Sequence, residues 1–156
     1  REIISLIVIC LVVVGLGSSG SFFVKKSLDW YQSLNKPWFT PPDWVFGPVW
    51  TVLYIMMASA FFLVWRKGTA NPKGKTAVAC FIFQFVFNLL WTPIFFGLKM
   101  PMLAFGEIVV LWLAVCATAG SFYRVSKPAA ILLIPYFLWV SFAAVLNEAI
   151  YMMNAN

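Results

Sequence analysis

The chain contains no histidine. That one absence removes imidazole general bases, Ser-His and Cys-His nucleophile pairs, and His-ligated zinc or haem. Charge is also scarce: Asp, Glu, Lys and Arg make up 10% of 156 residues, against about 25% in ordinary soluble domains. Cys10, Cys80 and Cys116 are odd in number, lack paired spacing and each sit inside an apolar run. They read as small buried hydrophobes, neither disulfides nor metal ligands, and no metal site is expected. The formal net charge of +6 would suit nucleic acid, but the basic residues lie in short segments between apolar runs and form no stripe on a polar element. No nucleic-acid partner is expected.

What fills the chain instead is apolar. It is 63% hydrophobic with a mean hydropathy of +0.91, too much to hide inside one domain of this size in water, whereas a bilayer lets such side chains face outward. A spanning helix needs roughly 20 apolar residues at about 1.5 Å rise each. The sequence predicts five such spans, at about 3–24, 44–65, 76–97, 101–123 and 128–153, in a single all-α transmembrane domain. The first run competes with a signal peptide, since Arg1, the apolar stretch and Gly17 to Ser21 imitate its three regions. However, Phe22-Phe23-Val24 continues past any cleavage site.

The longest polar connection, 25–43, carries Trp30, Tyr31, Trp38 and Phe39 with Pro37, Pro41 and Pro42. It reads as a stiff aromatic lid. Pro48, one turn into the second span, is expected to kink that helix or delay its start, and Pro135 lies inside the fifth. Lysine and arginine counts set the orientation. Arg1, Arg66, Lys67, Lys73, Lys75, Arg124 and Lys127 share the N-terminal side, against Lys25, Lys26, Lys36 and Lys99 on the other. The N-terminus is therefore expected in the cytoplasm and the aromatic loop outside.

Polar groups at membrane depth are the informative ones: Gln84, Asn88, Glu107, Asn147 and, nearer the interface, Glu148. Gln84 and Asn88 are four apart, and Trp91 and Phe95 extend the same helical face. That face is a candidate pocket wall, although interhelical hydrogen bonding alone would also explain the amides. Trp50 and Tyr54 form a second face; Trp139, Ala143, Leu146 and Ile150, with Asn147 at the edge, form a third. Such aromatic walls suit a flat, largely apolar ligand. Trp30, Trp38, Trp44 and Trp65 lie near span ends, where an interfacial belt accounts for them.

The segment from Lys36 to Tyr54, Lys-Pro-Trp-Phe-Thr-Pro-Pro-Asp-Trp-Val-Phe-Gly-Pro-Val-Trp-Thr-Val-Leu-Tyr, closely resembles the signature of the translocator protein family, the tryptophan-rich sensory or TspO/MBR proteins that include the peripheral-type benzodiazepine receptor. Three further blocks agree in order and spacing: Asn88 to Gly97 with Trp91 and Pro93, Glu107 to Trp112, and Pro135 to Trp139 followed by Phe142-Ala143 and Leu146-Asn147. The resemblance implies a five-helix bundle, commonly a homodimer, with a ligand pocket roofed by the first long loop. It implies porphyrin or haem as ligand, in some members sterols and benzodiazepine-type or isoquinoline compounds, with no obligatory cofactor. By position the pocket would include Phe46, Trp50, Asn88, Trp91, Ala143 and Leu146, with Trp139 nearby; Tyr54 and Asn147 join it from the faces above. The proposed cholesterol pattern fails at Tyr151, which no basic residue follows, so a tetrapyrrole is favoured over a sterol.

The resulting expectation is a bacterial cell-membrane receptor or transporter that senses or moves tetrapyrroles. The alternative is an enzyme of light-dependent porphyrin breakdown in which Trp50 and Trp139 are the redox-active side chains, no ordinary acid-base constellation being present. A third reading makes Glu107 the carrier of a proton-coupled exporter.

Overall fold

The computed structural model describes residues 1–155 and contains helices with no strand among them. Five stretches are long and apolar enough to cross a bilayer: Glu2–Lys26, Asp43–Lys67, Pro72–Gly97, Pro101–Tyr123 and Lys127–Asn154. Their side chains face outward in large numbers. Ile3, Leu11, Ile82, Leu113 and Leu138 are all exposed, as expected of helices whose solvent is lipid.

The breaks within the spans follow from particular residues. The first span is α1 (Glu2–Gly17), a single 3-10 turn over Ser18–Gly20, and α2 (Ser21–Lys26). The polar connection is shorter than the sequence indicates and holds a helix of its own, α3 (Leu28–Ser33). The second span is one helix, α4 (Asp43–Lys67), with Pro48 inside it. Its start is not delayed: Pro42 precedes the first turn in extended backbone, and Asp43 complements the positive helix end. Gly68, at φ 103, ends α4 in a conformation that side-chain-bearing residues rarely adopt.

The third span begins at Pro72, earlier than hydropathy alone predicts. The Asn71 side chain accepts from the Gly74 amide at 2.9 Å, and Pro72 takes the first helical position, where its missing N–H has no consequence. This helix, α5 (Pro72–Thr92), passes into a π-turn over Pro93–Gly97. Pro93 cannot donate within the helical ladder, and the Leu98 amide bonds back to the Pro93 carbonyl at 2.9 Å. The fourth span is α6 (Pro101–Tyr123). Pro135 divides the fifth: α7 (Lys127–Leu132) stops, Leu133 turns, and α8 (Ile134–Asn154) restarts with the proline in its first turn.

Packing sorts the spans. Met57, Ala58, Ala60 and Val64 of α4, Phe81 of α5, Leu111, Val115 and Phe122 of α6, and Tyr136 and Val140 of α8 form the main core. A second cluster on the loop side joins Tyr31, Phe95, Phe96, Leu146 and Ile150. Here Trp30 departs from the belt expectation, packing on Phe95 with centroids 5.7 Å apart, whereas Trp38 is 95% exposed and Trp44 74%. The Arg66–Glu2 ion pair at 3.7 Å is open to solvent and contributes little.

Candidate ligand-binding site

Between the two clusters lies a cavity of about 350 Å³, towards the lower end of the roughly 300–1,000 Å³ typical of small-molecule sites. All five spans and α3 contribute to its wall. The nine residues singled out from the sequence, Phe46, Trp50, Tyr54, Asn88, Trp91, Trp139, Ala143, Leu146 and Asn147, all line it. Helical spacing explains the convergence: Phe46, Trp50 and Tyr54 repeat every four residues on α4, and Trp139, Ala143, Leu146 and Ile150 follow one face of α8.

The aromatic groups meet at defined angles. Trp50 stacks on Tyr54 at 5.5 Å and stands perpendicular to Trp139 at 6.4 Å. Phe46 meets Trp139 edge-on at 5.9 Å, and Trp91 stacks on Phe95 at 4.9 Å. These offset and edge-to-face contacts are the preferred arrangements of aromatic quadrupoles.

Beneath the cavity runs a chain of buried hydrogen bonds. The Tyr54 hydroxyl donates to Asn88 Oδ1 at 2.8 Å, Asn88 Nδ2 donates to the Tyr136 hydroxyl at 2.9 Å, and that hydroxyl donates to Gln84 Oε1 at 2.8 Å. Gln84 Nε2 ends the chain on Met57 Sδ at 3.6 Å. The two amides of α5 therefore divide their labour. Asn88 both lines the cavity and joins helices, while Gln84 is 1% exposed and lies off the cavity wall. A second link secures the loop-side end: Trp91 Nε1 donates to Asn147 Oδ1 at 3.0 Å, and Asn147 Nδ2 to the Pro101 carbonyl at 2.8 Å. Trp112 Nε1 ties α6 to Ser141 at 2.8 Å, away from the cavity.

Two buried groups lack partners among the described residues. One is the indole N–H of Trp139; the other is the carboxyl of Glu107, both of whose oxygens are unpaired. Glu107 is 8% exposed, and its neighbours Ile108 and Leu111 line the cavity where it does not. Glu148 is half-buried.

The roof is made by the polar connection. Tyr31 closes the cavity from above, and burial followed by the nearby Asp43 carboxylate pushes its phenol up to about 12. Of the lysines on this side, Lys36 is turned onto the loop itself, donating to the Tyr31 and Leu34 carbonyls at 2.9 and 3.2 Å. Lys26 lies over the Phe22 ring, 4.3 Å from its centroid. Only Lys25 reaches the cavity wall.

Several lining residues were not legible in advance. Ile108 and Leu111 give no local signal on an apolar helix; Gly17 and Ser21, four apart on the first span, read as a place where another helix could approach closely, and Ser18 and Lys25 only as small or interfacial residues. Tyr136, at the centre of the polar chain, is one aromatic among many until its 1% exposure is known.

The model of the TspO/MBR family matches residues 6–153. The chain is 41% identical over 155 residues to the tryptophan-rich protein TspO of Chlorobaculum tepidum, covering 99% of this chain and 98% of that protein. It is 40% identical over 131 residues to the tryptophan-rich sensory protein of Cereibacter sphaeroides, covering 84% and 80%. With the translocator protein of Homo sapiens it shares 38% identity over 137 residues, covering 86% and 81%.

Proposed function

The chain belongs to the TspO/MBR family, and from that premise we propose that it is a multi-pass membrane receptor or transporter that binds porphyrin or haem inside its helix bundle, in tetrapyrrole transport or sensing. The observation that carries this reading is the convergence of Phe46, Trp50, Trp91 and Trp139 on one cavity. Flat aromatic walls bury a conjugated ring over both faces and edges. The unpartnered Trp139 N–H offers a hydrogen bond that an acceptor on the ligand would satisfy after a small turn of the ring. With no histidine in the chain, haem would bind through ring contacts without imidazole ligation. Sterols and benzodiazepine-type compounds fit the same apolar wall with less use of its polar groups.

The same reading places the protein as a homodimer in a bacterial cell membrane, with its basic N-terminal side in the cytoplasm. The resemblance supports the homodimer, and the excess of Arg and Lys on that side supports the orientation.

The test is quenching of Trp fluorescence by protoporphyrin in the dark. Affinity is expected to fall at least tenfold in Trp50→Ala and Trp139→Ala, and unchanged affinity in both would reject this cavity as the site. The perpendicular pair Trp50 and Trp139, 6.4 Å apart on the wall, favours a second reading, photochemical porphyrin breakdown. Illumination with protoporphyrin should then change the product spectrum, and a yield identical in Trp139→Phe would remove that role.

A further inference from the structure

Of the residues lining the cavity, six are exposed: Ser18, Ser21 and Lys25 on the first span, and Asp43, Gly47 and Thr51 on the second. Every lining residue from the third, fourth and fifth spans, and Tyr31 of the roof, is buried or half-buried. The opening is therefore confined to one side, between the first two spans, in the half of the bilayer nearest the aromatic loop.

The path of the first span explains the opening. At Gly17 it touches the second span so closely that an added Cβ would lie 2.5 Å from the Tyr54 ring. One turn later it leans on the third span instead: a Cβ on Gly20 would come within 3.1 Å of Thr92, and the Phe23 ring lies against the Gly97 position at 3.0 Å. Ser27 Oγ then donates to the Phe96 carbonyl at 2.7 Å. The 3-10 turn at Ser18–Gly20 sits where the span changes partner. Above the Gly17–Tyr54 contact the first two spans part.

The roof, by contrast, is fastened. The Asn35 amide donates to Asn154 Oδ1 at 3.0 Å and Asn154 Nδ2 donates to the Asn35 carbonyl at 2.8 Å, which ties the loop to the end of α8. Phe39 packs on Phe142 at 6.2 Å. Entry from above must break these contacts, whereas entry from the side breaks none.

We propose that the cavity is filled laterally, from within the bilayer, through this window, by an amphiphile with a flat apolar body and one charged edge. Lys25 and Asp43 are the only charged residues on the wall; both are exposed, and no ion pair joins them among the described residues. Placed at the outer end of the window, at headgroup level, Lys25 holds an anionic edge there, with Asp43 disfavouring its passage deeper, while the apolar body slides between the spans past Ser21 and Gly47. The choice of a porphyrin as probe rests on the function proposed above; the window itself does not.

The experiment uses the full chain in liposomes, with Cys10, Cys80 and Cys116 replaced by Ala. The roof is locked with Asn35→Cys and Asn154→Cys joined by a flexible bis-maleimide. The window is plugged separately with Gly47→Trp, since a Cβ there meets nothing within 4 Å; Ser21→Phe serves as a second plug, and melting temperature reports folding. Two readouts are taken: the rate of Trp quenching by protoporphyrin, and carbene labelling of the buried wall residues Phe95 and Leu146 by a small aromatic diazirine dissolved in the bilayer. Locking the roof should leave both within twofold, and a folded plug should lower both at least tenfold. A tenfold loss on locking the roof, or no change with either folded plug, overturns the window. Diazirine labelling that follows this pattern without any protoporphyrin quenching upholds the window and rejects the porphyrin reading.

Discussion

Replacing Tyr136 by Phe removes one oxygen from the centre of the buried chain and leaves the ring, which meets Trp50 edge-on at 6.3 Å, in place. That oxygen accepts from Asn88 and donates to Gln84, so the substitution leaves a donor and an acceptor without partners. Each interhelical hydrogen bond in a membrane protein contributes about 0.6 kcal/mol on average and at most about 1.7, because the unfolded chain in the membrane also finds partners. Two such bonds put the cost of Tyr136→Phe at about 1–3 kcal/mol. Tyr54→Phe loses only the terminal bond to Asn88 and should cost about half as much. The assay is equilibrium unfolding in mixed detergent followed by circular dichroism, with a double-mutant cycle between Tyr136→Phe and Asn88→Leu. The two changes should be clearly non-additive, since they share a bond. A cost below about 0.3 kcal/mol for Tyr136→Phe, or Tyr54→Phe proving the costlier of the two, would show that the chain of bonds does not hold the helices.

Gly17→Val should destabilise by about 1–3 kcal/mol, because its Cβ would overlap the Tyr54 ring, whereas Gly15→Ala, with nothing within 4 Å, should be neutral or stabilising by up to about 1 kcal/mol; thermal unfolding of both variants separates close approach from general helix propensity. Glu107→Leu should raise stability by about 1–3 kcal/mol, since it replaces a buried carboxyl that has no partner by an apolar group of similar size, and a lowered melting temperature would reveal a partner for the carboxyl. Tyr31 is held neutral by burial, with its pKa raised from 10.0 to about 12; its contribution is complete below pH 10 and is lost as pH rises towards 12, so the hydrogen-exchange protection of residues 28–36, taken relative to the intrinsic base-catalysed rate, should fall across that window. Tyr31→Phe should abolish that loss of protection, and a loss that persists unchanged in the variant would assign it to another group.

Much of this was readable from one dimension. Spans are legible because hydrocarbon imposes its thickness on every helix that crosses it, so five apolar runs in the sequence become five spans with ends displaced by a few residues. The displaced ends trace to local chemistry: Asn71 and Pro72 cap and initiate a helix in a stretch that hydropathy scores as a turn. Helical periodicity also brings Phe46, Trp50 and Tyr54 onto one face, and Trp139, Ala143 and Leu146 onto another. Pro48 resisted such reading because a proline one turn into a span can either kink the helix or delay its start, and the preceding Pro42 and Asp43 start the helix ahead of it.

Sequence alone, then, determined the solvent, the number of crossings and which faces carry aromatic side chains, because these depend on composition and on a repeat of 3.6 residues within single helices. Tertiary structure alone decided where those faces meet, because packing depends on contacts between residues far apart in the chain. It turned Gln84 into part of a structural chain and Asn88 into part of a wall, placed Tyr136 between them, and buried Glu107 without a partner. It also set the path of the first span, which touches the second at Gly17 and the third from Gly20 onward. Nothing in the order of residues shows that parting, for it arises only when three helices compete for the close approach that glycine permits.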